Sequence, residues 1–154
     1  QETRAWFDGA IALSGAIATG RAILAAQVMG ADVAYIGSAF IATEEARAAE
    51  GYKAMIVEGA AGDIVYSDLF TGVMGNYLRP SIRNAGLDPD ALPRPDPSSV
   101  NFSANRNKPW KDIWGSGQGI GAVGAVQPAA EMIERLRAEY EAALDAARAL
   151  RGGS

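Results

Sequence analysis

The chain contains neither cysteine nor histidine. Without cysteine there is no disulfide framework and no thiolate metal site. Without histidine, no imidazole can act as acid, base or ligand within these 154 residues. Asp63, Asp68, Asp88, Asp90 and Asp96 lack the spacing of a metal-binding loop, so no metal site is expected. Excess positive charge is also missing. Fourteen Lys and Arg against eighteen Asp and Glu leave a formal charge of -4, with no basic stripe interleaved with aromatics. That excludes a nucleic-acid partner. No apolar run approaches the roughly 20 residues that cross a bilayer, and no secretory leader is visible. A cytoplasmic protein without a membrane partner is the expectation. What is present, 49% hydrophobic and 21% charged residues, is ordinary for one globular domain with a real core.

The pattern along the chain is that of alternating strands and helices. Residues 2–7 resemble the last turns of a helix closed by Asp8 and Gly9. Ala10 to Leu13 reads as a short apolar strand. Gly20 and Arg21 open a helix reaching Met29, and Gly30 stops it in the left-handed region. Val33 to Ile36 reads as a parallel strand buried on both faces, because it is apolar throughout. Thr43, followed by Glu44 and Glu45, predicts an N-cap and a helix reaching about Val57. Ile64 to Phe70 is expected to be extended and is broken by Thr71 and Gly72. Asn76 to Asn84 predicts a short helix kinked at Pro80. Residues 86–107 are dense in Pro, Asp, Ser and Asn and read as a long loop, flanked by Trp110 and Trp114. Pro128 suits the first position of a long helix. Its apolar face is read as Ala129, Ile133, Leu136, Tyr140, Ala143, Ala147 and Leu150.

Two stretches carry chemistry. Each predicted strand runs into a turn of small residues: Ser14, Gly15 and Ala16 after the first, and Gly37 and Ser38 after the second. A phosphate needs several N–H donors converging where no side chain intrudes. Gly15, Ala16, Gly37 and Ser38 supply such amides, and Ser38 adds a hydroxyl. The plainer alternative is that these residues only make tight turns. Two such turns on neighbouring strands favour an anion cradle, a use that (β/α)-barrels make of this position. Other strings fail on context. Gly15 to Ala22 looks like a Walker loop but lacks its Lys and its Ser/Thr. Gly119, Gly121 and Gly124 match the dinucleotide spacing but follow a loop, not a strand. Those glycines are read as letting the backbone pass close to a strand end or a cofactor. Asn76, Tyr77, Arg79 and Arg83 form a polar cluster, read as a solvated or structural face rather than as a substrate or flavin contact. Glu44 and Glu45 are read as helix-start residues, not as an acid/base pair.

The order Ile11 to Ile17, Thr19-Gly20-Arg21, Ala25-Ala26, Gly30-Ala31-Asp32, Ile36-Gly37-Ser38-Ala39-Phe40 and Ala42 to Glu45 resembles nitronate monooxygenases. Phe70-Thr71-Gly72, Asn76 to Arg79, Gly117-Gln118-Gly119 and the closing helix are similar to the C-terminal region of that family. The resemblance implies an FMN-dependent (β/α)8 TIM barrel that oxidises an alkyl nitronate with O2 to a carbonyl compound and nitrite. Carried over by position, it implies FMN contacts at Ser14, Gly15, Ala16, Tyr35, Ile36, Gly37, Ser38 and Gln118. The family pattern has a second glycine where Ala16 stands and an Arg where Ala39 stands. Many members take their catalytic base from an upstream His, so no catalytic residue is assigned in this chain.

The expected fold is α/β: the last two βα units of a barrel over residues 1–63, a loop-rich extension over 64–127, and a C-terminal amphipathic helix with its tail over 128–154. Gln1 is not an initiator Met, and the chain reads as the C-terminal part of a longer protein. Its expected partner is either a missing N-terminal half or a second copy of itself. Alone it is expected to be inactive. Two alternatives stay open: a flavin-dependent enoyl-[acyl-carrier-protein] reductase, and a non-catalytic phosphate- or nucleotide-binding half-barrel.

Overall fold

A computed structural model describes residues 2–93 and 112–150. Residue 1, residues 94–111, which include Asp96, Trp110 and the whole second half of the Pro-rich loop, and residues 151–154 lie outside the described residues.

A 3-10 turn at Thr3–Ala5 leads into β1 (Ala12–Ser14), α1 (Gly20–Val28) and β2 (Val33–Tyr35). β1 and β2 pair in parallel, with Ala12 opposite Val33 and Ser14 opposite Tyr35. This is the predicted strand–helix–strand crossover, and its limits are set by local chemistry. Thr19 has extended backbone angles, and its hydroxyl accepts the Ala22 N–H at 3.1 Å, capping α1. At the other end Gly30 takes φ +100°, and the Gly30 and Ala31 amides donate to Gln27 and Ala26. That glycine stop is the one predicted. Asp32 then ties the second strand to the first by accepting the Ile11 N–H at 2.8 Å and the Arg4 guanidinium at 2.5 Å.

Burial of the second strand departs from expectation. Val33 is 55% exposed and Tyr35 66% exposed. These side chains alternate with half-buried Ala34, so only one face of the strand is covered. Among the described residues β1 and β2 have one neighbour each. Their outer edges keep unpaired N–H and C=O groups.

The segment after β2 differs more. A single turn, α2 (Ser38–Ile41), comes first, and the predicted helix begins only at α3 (Glu50–Glu58). Thr43 is not its N-cap. Its hydroxyl donates to the Phe40 carbonyl, its side chain is buried, and its backbone bridges Gln127 in parallel. Glu44 and Glu45 do not start α3 either. The Glu45 carboxylate instead accepts the Ala129 N–H at 2.9 and 3.1 Å, at the start of the C-terminal helix.

β3 (Ile64–Ser67) and β4 (Gly75–Leu78) form an antiparallel hairpin, with Ile64 opposite Leu78 and Ser67 opposite Gly75. The predicted helix over Asn76 to Asn84 is therefore half strand. Only α4 (Arg79–Asn84) is helical, and Pro80 lies in its first turn, where its missing N–H costs nothing. Within the polar cluster Arg79 pairs with Asp90 at 2.5 Å, and Tyr77 is buried edge-on to Phe70. Both are structural contacts.

The C-terminal helix, α5 (Ala129–Ala149), starts one residue after Pro128. Its buried residues are Met132, Leu136 and Ala143, whereas Ile133 is 53% and Leu150 85% exposed. Leu136 and Ala143 of the predicted face are buried and Tyr140 is half-buried, while Met132 is buried where Ile133 was expected. α1 packs against α5 at Leu136 and Tyr140. A Cβ added to Gly20 would lie 2.1 Å from the Leu136 carbonyl oxygen and 2.2 Å from the Tyr140 nitrogen. Glycine there lets the backbones touch. The main core gathers Ala18, Ala39, Ile56, Leu78, Ile120, Met132 and Leu136, and a smaller one joins Tyr77, Ile82 and Ile113.

Candidate functional site

The parallel pairing of β1 with β2 brings the two small-residue turns side by side at the C-terminal ends of the strands. The backbone here is unusual. Gly15 has φ +110° and Ala16 has φ +53°. A left-handed residue with a Cβ costs about 1–2 kcal/mol, so something must hold Ala16 there. Strain of this kind tends to persist at ligand clamps.

What holds Ala16 arrives from a hundred residues downstream. Residues 114–116 extend the β3–β4 hairpin: Leu78 N–H donates to Trp114 O at 2.8 Å, and Ser116 N–H donates to Asn76 O at 3.1 Å. Tyr52 anchors the same stretch. Its ring stacks on Trp114 at 5.0 Å, and its hydroxyl donates to the Gly115 carbonyl. Burial pushes the Tyr52 hydroxyl pKa up. The chain then crosses to the cradle. Gly117 N–H donates to Ser38 Oγ at 2.8 Å, and Gly119 lies on Ala16. A Cβ at Gly119 would come within 2.7 Å of the Ala16 carbonyl oxygen and 2.8 Å of its carbon. The glycine-rich string therefore does pass its backbone close to a strand end.

Residues 115–119 form a strap across the two turns, and a Cβ on Gly117 would point between Ser38 Oγ (3.5 Å) and Ala16 N (3.9 Å). Among the described residues the amides of Gly15, Ala16, Gly37 and Ser38 make no backbone hydrogen bond outside helices and strands. Ser38 Oγ accepts from Gly117, which leaves its own proton free to donate. A group of donors with no opposing acceptor suits an acceptor-only ligand, and a phosphate monoester is the biological group that matches. The donor set thus fits a phosphate group.

Ser14, Tyr35 and Ile36 lie at the strand ends beside this group, with Tyr35 two-thirds exposed. Gln118 sits in the strap between the two residues that touch the cradle, and its side chain meets that of Asn76 in two reciprocal contacts of 3.4 Å. All eight residues implied by the resemblance therefore lie at these turns or on the strap over them. Asn76 was read as part of a solvated or structural face, and its pairing with Gln118 was not foreseen; nor was the Gly117–Ser38 contact, because both join residues far apart along the chain. Among the described residues no three His, Cys, Asp or Glu side chains gather as metal ligands.

No protein-family model matches the chain. It is 27% identical over 140 residues to a nitronate monooxygenase of Paraburkholderia phytofirmans, a match covering 86% of this chain and 38% of that protein. It is 34% identical over 62 residues to a probable nitronate monooxygenase of Staphylococcus haemolyticus, covering 40% of this chain and 17% of that one. Among solved structures, nitroalkane oxidase from Streptomyces ansochromogenes superposes with a TM-score of 0.73 at 27% identity, over 94% of this chain and 43% of that one. FabK from Thermotoga maritima superposes with a TM-score of 0.68 at 21% identity, covering 48% of its chain, a likeness of fold alone. The chain spans less than half the length of these relatives. The resemblance read from the motifs holds: this chain is a relative of the nitronate monooxygenases, and its α/β fold corresponds to part of a (β/α)-barrel enzyme.

Proposed function

We propose that this relative of the nitronate monooxygenases supplies the FMN-binding part of an enzyme that oxidises alkyl nitronates with O2 to a carbonyl compound and nitrite. The observation that carries the reading is the cradle. Two adjacent parallel strands end in uncommitted amides, and a strap holds Ala16 in a left-handed conformation beside them. In this reading Gly15, Ala16, Gly37 and Ser38 grip the phosphate, while Ser14, Tyr35, Ile36 and Gln118 line its surroundings. When bound, the flavin supplies the electron transfer to and from substrate and O2. The chain's own residues bind and orient it. None of them is assigned as the catalytic base.

Two strands do not close a barrel, which takes eight. The apolar face of Val33 and Tyr35 and the two open strand edges are the surfaces that further βα units would cover. We place those units in an N-terminal half, with the C-terminal two units of the barrel here.

The test is to purify the protein together with those units, release any bound flavin by heat and assay turnover. FMN release and nitrite formation from propyl-2-nitronate are expected. Turnover of an enoyl thioester with NADH, and none of nitronate, would replace this reading with an enoyl reductase. A stable colourless protein that takes up no flavin would overturn both.

A further inference from the structure

The contact at Gly20 holds α1 against α5 at Leu136 and Tyr140. From there both helices run on toward their C-terminal ends and flank a groove of about 400 Å³. Leu24, Ala25 and Val28 line one side, and Ala143, Ala147 and Leu150 line the other. Ile23 and Ala26 of α1 face the core, so the groove lies on another flank of that helix and shares no residue with the cradle.

The apolar lining continues a stripe that is buried earlier in α5. Leu136 and Ala143 are covered. Ala147 and Leu150, one and two turns beyond Ala143, stand in water, with Leu150 85% exposed. Across from them Val28 is 80% exposed. Charge is confined to one end. Arg21 stands beside the helix contact, next to Gly20, and no other charged residue lines the groove. Its guanidinium has no ion pair or hydrogen bond among the described residues. Two turns of helix put Val28 about 10 Å further along. The volume lies in the range of small-molecule sites. One cation at the end of an apolar trough is complementary to an apolar chain with an anion at its end. We propose that the α1–α5 groove binds a free single-chain alkyl carboxylate, its head group on Arg21 and its tail along Val28, Ala147 and Leu150.

The experiment titrates octanoate, decanoate and 1-octanol into the purified protein by calorimetry, below the concentrations at which they aggregate. One saturable site for each carboxylate is expected. Full burial of a methylene strengthens binding about fourfold, and a trough open on one side should keep about half of that free energy, or about twofold per methylene. Decanoate should therefore bind about fourfold more tightly than octanoate. Arg21→Gln should weaken octanoate about three- to fivefold and leave 1-octanol unchanged. Val28→Asn and Leu150→Asn should weaken both, and because both positions are exposed the urea midpoint should hardly move. No saturable binding, affinity independent of chain length, or equal loss of octanoate and 1-octanol in Arg21→Gln would each overturn the proposal. Sedimentation with phosphatidylglycerol vesicles without any binding of the monomeric carboxylates would overturn it too.

Discussion

Gly20→Ala sets local propensity against tertiary contact. Gly20 is the first residue of α1, and Ala exceeds Gly in helix propensity by about 1 kcal/mol in a helix interior. Read locally, the substitution stabilises. In the fold, the new methyl would stand 2.1 Å from the Leu136 oxygen, 2.2 Å from the Tyr140 nitrogen and 2.8 Å from the Glu139 carbonyl carbon, all backbone atoms of α5. None of these is a side-chain end that can swing away, so the two helices must separate. Overpacking of this kind costs about 1–3 kcal/mol. Separation also strains the Gly20 N–H bond to the Glu139 carboxylate, now 2.8 Å. Hydrogen bonds to charged groups contribute about 1.5–3 kcal/mol. Contact outweighs propensity, and the net loss should be about 2–4 kcal/mol. For a chain of this size each kcal/mol lowers Tm by roughly 2–4 °C. Gly121→Ala is the control: its new Cβ meets nothing nearer than 3.9 Å. Urea and thermal unfolding of the two variants settle the matter. A Gly20→Ala protein as stable as Gly121→Ala would refute the close helix contact.

Two further outcomes are expected. Glu45→Ala removes the acceptor that caps α5 at Ala129 and should cost about 0.5–2 kcal/mol in urea unfolding, with Glu45→Gln recovering part of it. The Asp32 carboxyl is held below its ordinary 3.8, first by the Ile11 N–H and then by Arg4. A carboxylate depressed in the fold supports stability above its unfolded value and stops doing so as pH falls through the lower folded value. Asp32→Asn should therefore lower the urea midpoint at about pH 6 while losing less on acidification to about pH 3 than the unmodified protein does.

Much of the site was legible because its signals are short-range. A parallel crossover needs a strand, a helix start, a glycine stop and a second strand, and all four lie within residues 12–36. The turn residues follow directly, so their side-by-side place at the strand ends could be read without coordinates. The helix start at Pro128 was legible for the same reason. The strap was not: Gly119 meets Ala16 across a hundred positions, and no local pattern marks which backbone a glycine will touch. Thr43 shows the opposite failure. Its sequence neighbourhood satisfies the rule for an N-cap, yet pairing with Gln127 draws it into the core, and Glu45 caps a helix 84 positions away. Asn76 to Asn84 likewise holds a strand that depends on β3 for its hydrogen bonds.

By itself, then, the sequence determined the turns, the caps at Gly30 and Pro128, and the order of the first strands and helix. Each of these depends on atoms within a few residues along the chain. Tertiary structure alone decided that Met132 rather than Ile133 is buried, how Ala16 is kept left-handed, and that Asn76 and Gln118 meet. Those outcomes depend on which distant backbones come into contact, and capping or periodicity rules carry no information about that.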